Sequence, residues 1–190
     1  MTWLIHIAMG IALAACAGLR AWLPLLIVGV LGRLGYLELQ DGFTFLTSNG
    51  ALLVLVTATV VEIIGDKVPT IDHLLDGIGT VLRPAAGTVL AASMFVNLDP
   101  LTALLLGLLA GGTTALTVHT WKAVVRTGVS ALFPVHFGLG NTVLSLAEDA
   151  LTAIAVALIL FIPVIALLVA VVGTVLVVRF VYRRVVPVRS

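Results

Sequence analysis

The chain has 190 residues, of which 61% are hydrophobic and 10% are charged, and its mean hydropathy is +1.25. An ordinary soluble domain is about 45–50% apolar and about 25% charged, so this composition excludes one, and it excludes a disordered chain as well. The formal net charge of +1 excludes the basic field of a nucleic-acid-binding protein, and a single cysteine excludes an intrachain disulfide.

The first part of the chain contains two apolar runs. Residues 3–31 are longer than one membrane crossing, which needs roughly 20 residues, so we predict either one kinked helix or a break near Gly18–Pro24. A polar connection, residues 33–49, leads to a second predicted span at residues 50–64. The sequence Gly65-Asp66-Lys67-Val68-Pro69 then predicts the end of one helix and the start of the next.

The middle of the chain contains two further predicted spans. Residues 70–98 form one broken span, which Pro84 ends or kinks, and Asp99-Pro100 predicts a turn. Residues 101–121 form the next span. This span carries two glycines at a spacing that lets helices approach closely, so we predict a homo-oligomer through Gly107 and Gly111.

The last predicted spans complete an all-α, polytopic transmembrane bundle. Residues 141–178 are too long for one ordinary span, and we divide them near Phe161–Pro163. The alternative is one strongly tilted helix with a kink at the proline. About six spans result, one or two of them broken, in a single domain over residues 1–190 that divides into halves 1–98 and 99–190. Arginines clustered near residue 184 indicate that both termini lie in the cytoplasm.

Charged side chains recur inside these spans in four stripes at helical spacing. A charged group at the centre of a membrane helix costs about 2.5–3.5 kcal/mol on insertion scales, so such groups usually face the bundle interior or water. In chain order the stripes are Glu62, Asp66 and the adjoining Lys67; Asp72, Asp76 and Arg83; His119, Lys122 and Arg126; and Asn141, Ser145, Glu148 and Asp149. All map to the inner half of the membrane, so we expect them to converge on one polar centre.

Two interpretations of these stripes stay open. In the first, the carboxylates line a hydrated pathway or an ion site, and the basic groups tune their protonation. In the second, the stripes form only an internal network of ion pairs, which the near balance of acidic and basic residues favours.

Two motif blocks resemble a known family. The first is Glu62-Ile-Ile-Gly-Asp66-Lys67-Val-Pro69 with Arg83-Pro84-Ala-Ala-Gly87, and the second is His119-xx-Lys122-Ala-xx-Arg126 with Asn141-xxx-Ser145-xx-Glu148-Asp149. With Gly18-Leu-Arg20-Ala-Trp22-Leu-Pro24-Leu, they are similar to the bacterial integral membrane family called domain of unknown function 4126. The resemblance implies a multi-pass protein of the bacterial inner membrane and supplies no activity. The family pattern has a small polar residue where Arg20 stands, so no role is carried onto Arg20.

The leading hypothesis is a small transporter or channel for an ion, a proton or a small polar solute, built on carboxylates beside broken helices. The alternative is a non-transporting membrane scaffold, a lipid-handling protein or an assembly factor. No catalytic motif occurs, so we expect no enzyme activity. We also expect no metal and no cofactor, and we expect the lipid bilayer to be the main partner.

Overall fold

The computed structural model describes residues 2–66, 69–132, 139–161, 171–176 and 179, and it describes the side chains of residues 3–66, 75–125, 145–160, 171–176 and 179. Within these ranges the chain is helical and contains no strand, as the all-α prediction requires. The helices are α1 (Thr2–Leu19), α2 (Trp22–Arg33), α3 (Asn49–Gly65), α4 (Pro69–Ser93), α5 (Pro100–Leu106), α6 (Thr113–Leu132) and α7 (Leu139–Phe161). A 3-10 helix, Asp41–Thr47, precedes α3, and a π-helix, Gly107–Gly112, joins α5 to α6.

Several helix ends lie where the sequence signals predict them. The first apolar run breaks between α1 and α2, inside the predicted interval, and α3 ends at Gly65 before α4 begins at Pro69. Asp99 caps α5, because its side chain accepts a hydrogen bond from the backbone N–H of Thr102 at 3.1 Å. Hydrogen bonds from the side chain and the backbone of Thr102 lower the pKa of Asp99.

Of the two alternatives predicted for Pro84, the end of a helix is excluded, because α4 continues through Pro84 as far as Ser93. A proline inside a helix removes one backbone hydrogen bond. The surrounding contacts offset that loss: α4 packs against α1, the π-helix and α6. Tertiary packing therefore overrides the local signal at this position.

Small residues allow α4 and the π-helix to cross closely. A Cβ atom added at Gly107 would lie 2.6 Å from the carbonyl oxygen of Thr88, and one added at Gly111 would lie 2.5 Å from Cβ of Ala91. The predicted glycine pair thus packs against α4 of the same chain. A second copy of the chain could reach these glycines only by displacing α4. The homo-oligomer remains a prediction, but these glycines do not supply its contact surface.

Several charged side chains are buried beside the apolar core, whereas many large apolar side chains are exposed. Arg20 and Arg83 are 0% and 1% exposed, whereas Leu53 on α3 and Leu151 on α7 are 69% and 59% exposed. One helix within the described part of the chain, Pro100–Val125, is long and apolar enough to cross a membrane. A second candidate appears if the 3-10 helix and α3, which meet at 65°, count as one span.

Candidate functional site

The break between α1 and α2 brings two helix ends together inside the bundle. Backbone groups at helix ends have no partner within their own helix. At the start of α2, Glu62 supplies acceptors: its Oε1 accepts a hydrogen bond from the backbone N–H of Ala21 at 3.1 Å, and its Oε2 accepts one from Trp22 at 3.3 Å. Because a helix N-terminus carries about half a positive charge, a carboxylate is favourable there.

The backbone carbonyls at the end of α1 require hydrogen-bond donors, and basic side chains supply them. Lys122 Nζ donates to the carbonyl oxygen of Leu19 at 3.3 Å, and Arg83 Nη1 donates to that of Gly18 at 3.4 Å. A helix C-terminus carries partial negative charge, so these cations are favourable there. Side chains from α3, α4 and α6 thus complete the hydrogen bonding of a break in the first apolar run.

Arg20 lies at the break itself and contacts two other helices. Its Nη1 donates to Asp66 at the end of α3, and its Nη2 donates to Ser145 Oγ on α7 at 2.9 Å. Its Nε lies 2.8 Å from Asp149 Oδ1, an ion contact without the alignment of a hydrogen bond. Arg20 is fully buried, so the guanidinium depends on these contacts in place of water.

Lys122 extends this arrangement to α6. Its Nζ lies 3.0 Å from Glu148 Oε2 and 3.9 Å from Asp66 Oδ2. The contacts therefore run in one line of alternating charge, in the order Asp149, Arg20, Asp66, Lys122, Glu148. We call these five side chains the charged centre.

A second group, in which Arg83 and His119 are buried and Asp76 is half-buried, joins α4 to α6. Arg83 Nη2 lies 3.5 Å from Asp76 Oδ1, and its Nη1 lies 2.6 Å from His119 Nδ1. A guanidinium can only donate, so Nδ1 of His119 is the acceptor and holds no proton in this contact. The group adjoins the charged centre, because both reach the carbonyls at the end of α1.

The predicted stripes converge as far as their side chains are described. Nine of the predicted site residues have side chains that contact the break, the charged centre or Arg83 and its partners. They are Glu62, Asp66, Asp76, Arg83, His119, Lys122, Ser145, Glu148 and Asp149. Lys67 lies outside the described residues, and so do the side chains of Asp72, Arg126 and Asn141. The described part of the chain holds no group of three His, Cys, Asp or Glu residues suited to a metal ion.

Sequence reasoning assigned no role to Arg20, which has contacts with both α3 and α7. The signal was present: an arginine inside an otherwise apolar run costs free energy in a membrane unless it faces partners.

Comparison with known proteins identifies one family. The model of the family described as domain of unknown function (DUF4126) matches residues 7–183. This match confirms the resemblance that the two motif blocks suggested. No curated protein and no solved structure gives a significant match.

Proposed function

We propose that this chain, which belongs to the DUF4126 family, carries an ion, a proton or a small polar solute across the bacterial inner membrane through the charged centre. In this proposal the chain crosses the membrane about six times, with both termini in the cytoplasm. The first crossing is a broken helix whose two ends meet at the charged centre.

The apolar outer surface supports a membrane location. Leu53, Leu109 and Leu151 are 69%, 67% and 59% exposed, and in water such a surface would promote association. In lipid the same side chains lie in a favourable solvent, and charged groups are expected inside the bundle. Non-helical backbone at membrane depth is tolerated where protein surrounds it, and the buried backbone between α1 and α2 meets this condition.

The alternating line of the charged centre is the observation that carries the transport proposal. Each of its three middle members, Arg20, Asp66 and Lys122, contacts two partners of opposite charge. When Asp66 separates from Arg20 or from Lys122, each of the two separated side chains keeps its other partner, so no charge of the line is left unpaired in a medium of low dielectric constant. Partner exchange along the line would allow a proton or an ion to be taken up and passed on.

The experiment is flux into proteoliposomes that contain the purified full-length chain, measured for protons, sodium, potassium, magnesium, chloride and phosphate. Glu148→Gln keeps the size of the side chain and removes its negative charge, so it should abolish the flux. The control is Glu38→Gln, which neutralises an exposed acid in the connection before the 3-10 helix and should leave the flux at the wild-type rate. Equal flux in Glu148→Gln and wild type would contradict the role of the charged centre.

The alternative is a non-transporting membrane protein in which the charged centre only holds α1, α3, α6 and α7 together. The burial of Arg20 and Asp66, with side chains 0% exposed, favours such a structural role. This alternative predicts no flux of any tested solute from folded protein, together with a loss of stability in Glu148→Gln. A scaffold or assembly role further predicts that crosslinking recovers a partner protein or a second copy.

A further inference from the structure

We propose that a groove between α2, α3 and α4 binds a lipophilic cation, with the Glu62 carboxylate as its counter-ion. The site goes beyond the transport proposal, because it lies beside the charged centre and its occupancy requires no flux through that centre.

The groove has the volume of a small-molecule site. Its volume is about 490 Å³, within the range of about 300–1,000 Å³ that is usual for ligand pockets. Two of the side chains that line it, Leu53 and Val61, are 69% and 54% exposed, so the groove opens on the outer face of α3. A ligand dissolved in the apolar part of a bilayer could therefore enter the groove directly from the lipid, in the plane of the membrane.

The side chains that line the groove favour a ligand that is mostly apolar. Leu53 and Val61 from α3 and Leu75 from α4 form apolar walls, and Trp22 from α2 adds an aromatic ring. Among the described residues that line the groove, Glu62 is the one that is ionisable. Such walls cannot replace the hydration shell of a small inorganic ion. They can accommodate an organic cation whose charge is shielded by hydrocarbon, and an indole ring attracts such a cation.

Glu62 differs from the other buried acids in what neutralises it. Asp66 and Glu148 each lie within ion-pair distance of a basic side chain. For Glu62 the structure gives two backbone N–H donors, from Ala21 and Trp22, and no basic side chain within the described part of the chain. A carboxylate has about four acceptor positions, so two remain, and the helix end supplies only about half a compensating charge. A ligand cation in the groove would complete the neutralisation.

The test is equilibrium binding of tetraphenylphosphonium to the purified full-length chain in phosphatidylcholine nanodiscs. We expect saturable binding that Glu62→Gln weakens about tenfold or more, because the counter-ion is lost. Ala58→Leu, which fills part of the groove with an aliphatic side chain and keeps the charge of Glu62, should weaken binding to a similar extent. Glu38→Gln, which removes an exposed acid elsewhere, should bind as the wild type does.

Several results would overturn the proposal. They are the absence of saturable binding, wild-type affinity in Ala58→Leu, wild-type affinity in folded Glu62→Gln, and equally tight binding of neutral triphenylphosphine oxide. Displacement of the probe by phosphatidylethanolamine in the nanodisc would assign the groove to the amine of a lipid headgroup and would also overturn it. If Glu62→Gln does not fold, the affinity of Ala58→Leu tests the proposal in its place. Because none of these measurements requires flux, the groove and the transport proposal can fail separately.

Discussion

Replacement of Arg20 by methionine is expected to lower the free energy of unfolding by about 3–5 kcal/mol, which is the usual effect of removing one partner from a buried ion pair. Methionine retains most of the apolar volume and removes the guanidinium. Asp66 and Asp149 would then lose the cation that they share, and Ser145 would lose a donor. The same substitution should also loosen the contact between α7 and the break.

The single cysteine provides the measurement. Cys16 is buried on α1 at 4% exposure, so a thiol-reactive dye labels it when the fold opens. The midpoint of labelling against denaturant should fall strongly in Arg20→Met. The control is Arg33→Met at the exposed end of α2, for which we expect a change below about 1 kcal/mol. Equal stability of the two variants would contradict the described role of Arg20.

The second large effect concerns the crossing of α4 and the π-helix. In Gly111→Ala the added methyl group would lie against the carbonyl oxygen of Gly87 and 2.5 Å from Cβ of Ala91. Backbone atoms of α4 cannot rotate away as a long side chain can, so the two helices must separate. We expect a destabilisation of about 1–3 kcal/mol, as for other overpacked cores.

The matched control is Gly77→Ala on α4, where an added Cβ meets no atom of the described residues within 4 Å. Alanine favours the helical conformation over glycine by about 0.5–1 kcal/mol, so this substitution should stabilise the protein. Cys16 labelling measures both variants. Stabilisation, or no change, in Gly111→Ala would show that the helices cross less closely than described.

Much of the helix layout could be predicted from the sequence, because local chemistry determines it. Asp99 before Pro100 is a capping residue followed by a residue suited to the first turn, and α5 begins there. The glycine and proline that flank Asp66 likewise correspond to the end of α3 and the start of α4. These signals act over a few residues, so they can be recognised in the sequence alone.

The site could be predicted only in part, because its geometry depends on contacts far apart in the chain. Helical spacing placed Glu62 and Asp66 on one stripe, and both face the break. Their different roles could not be predicted from the sequence. Glu62 caps α2, 40 residues away in sequence, whereas Asp66 pairs with Arg20. Such a cap exists only because α1 and α2 separate at this point, which no local pattern in α3 reveals.

The convergence of charged side chains at the break requires a contact between Lys122 on α6 and Glu148 on α7. A double-mutant cycle with Lys122→Met, Glu148→Gln and the double variant, followed by Cys16 labelling, isolates their interaction. The 3.0 Å contact predicts that the effects are strongly non-additive, with a coupling of about 0.5–3 kcal/mol. Effects that add to within about 0.5 kcal/mol would contradict the convergence of charged side chains on which the proposed pathway depends.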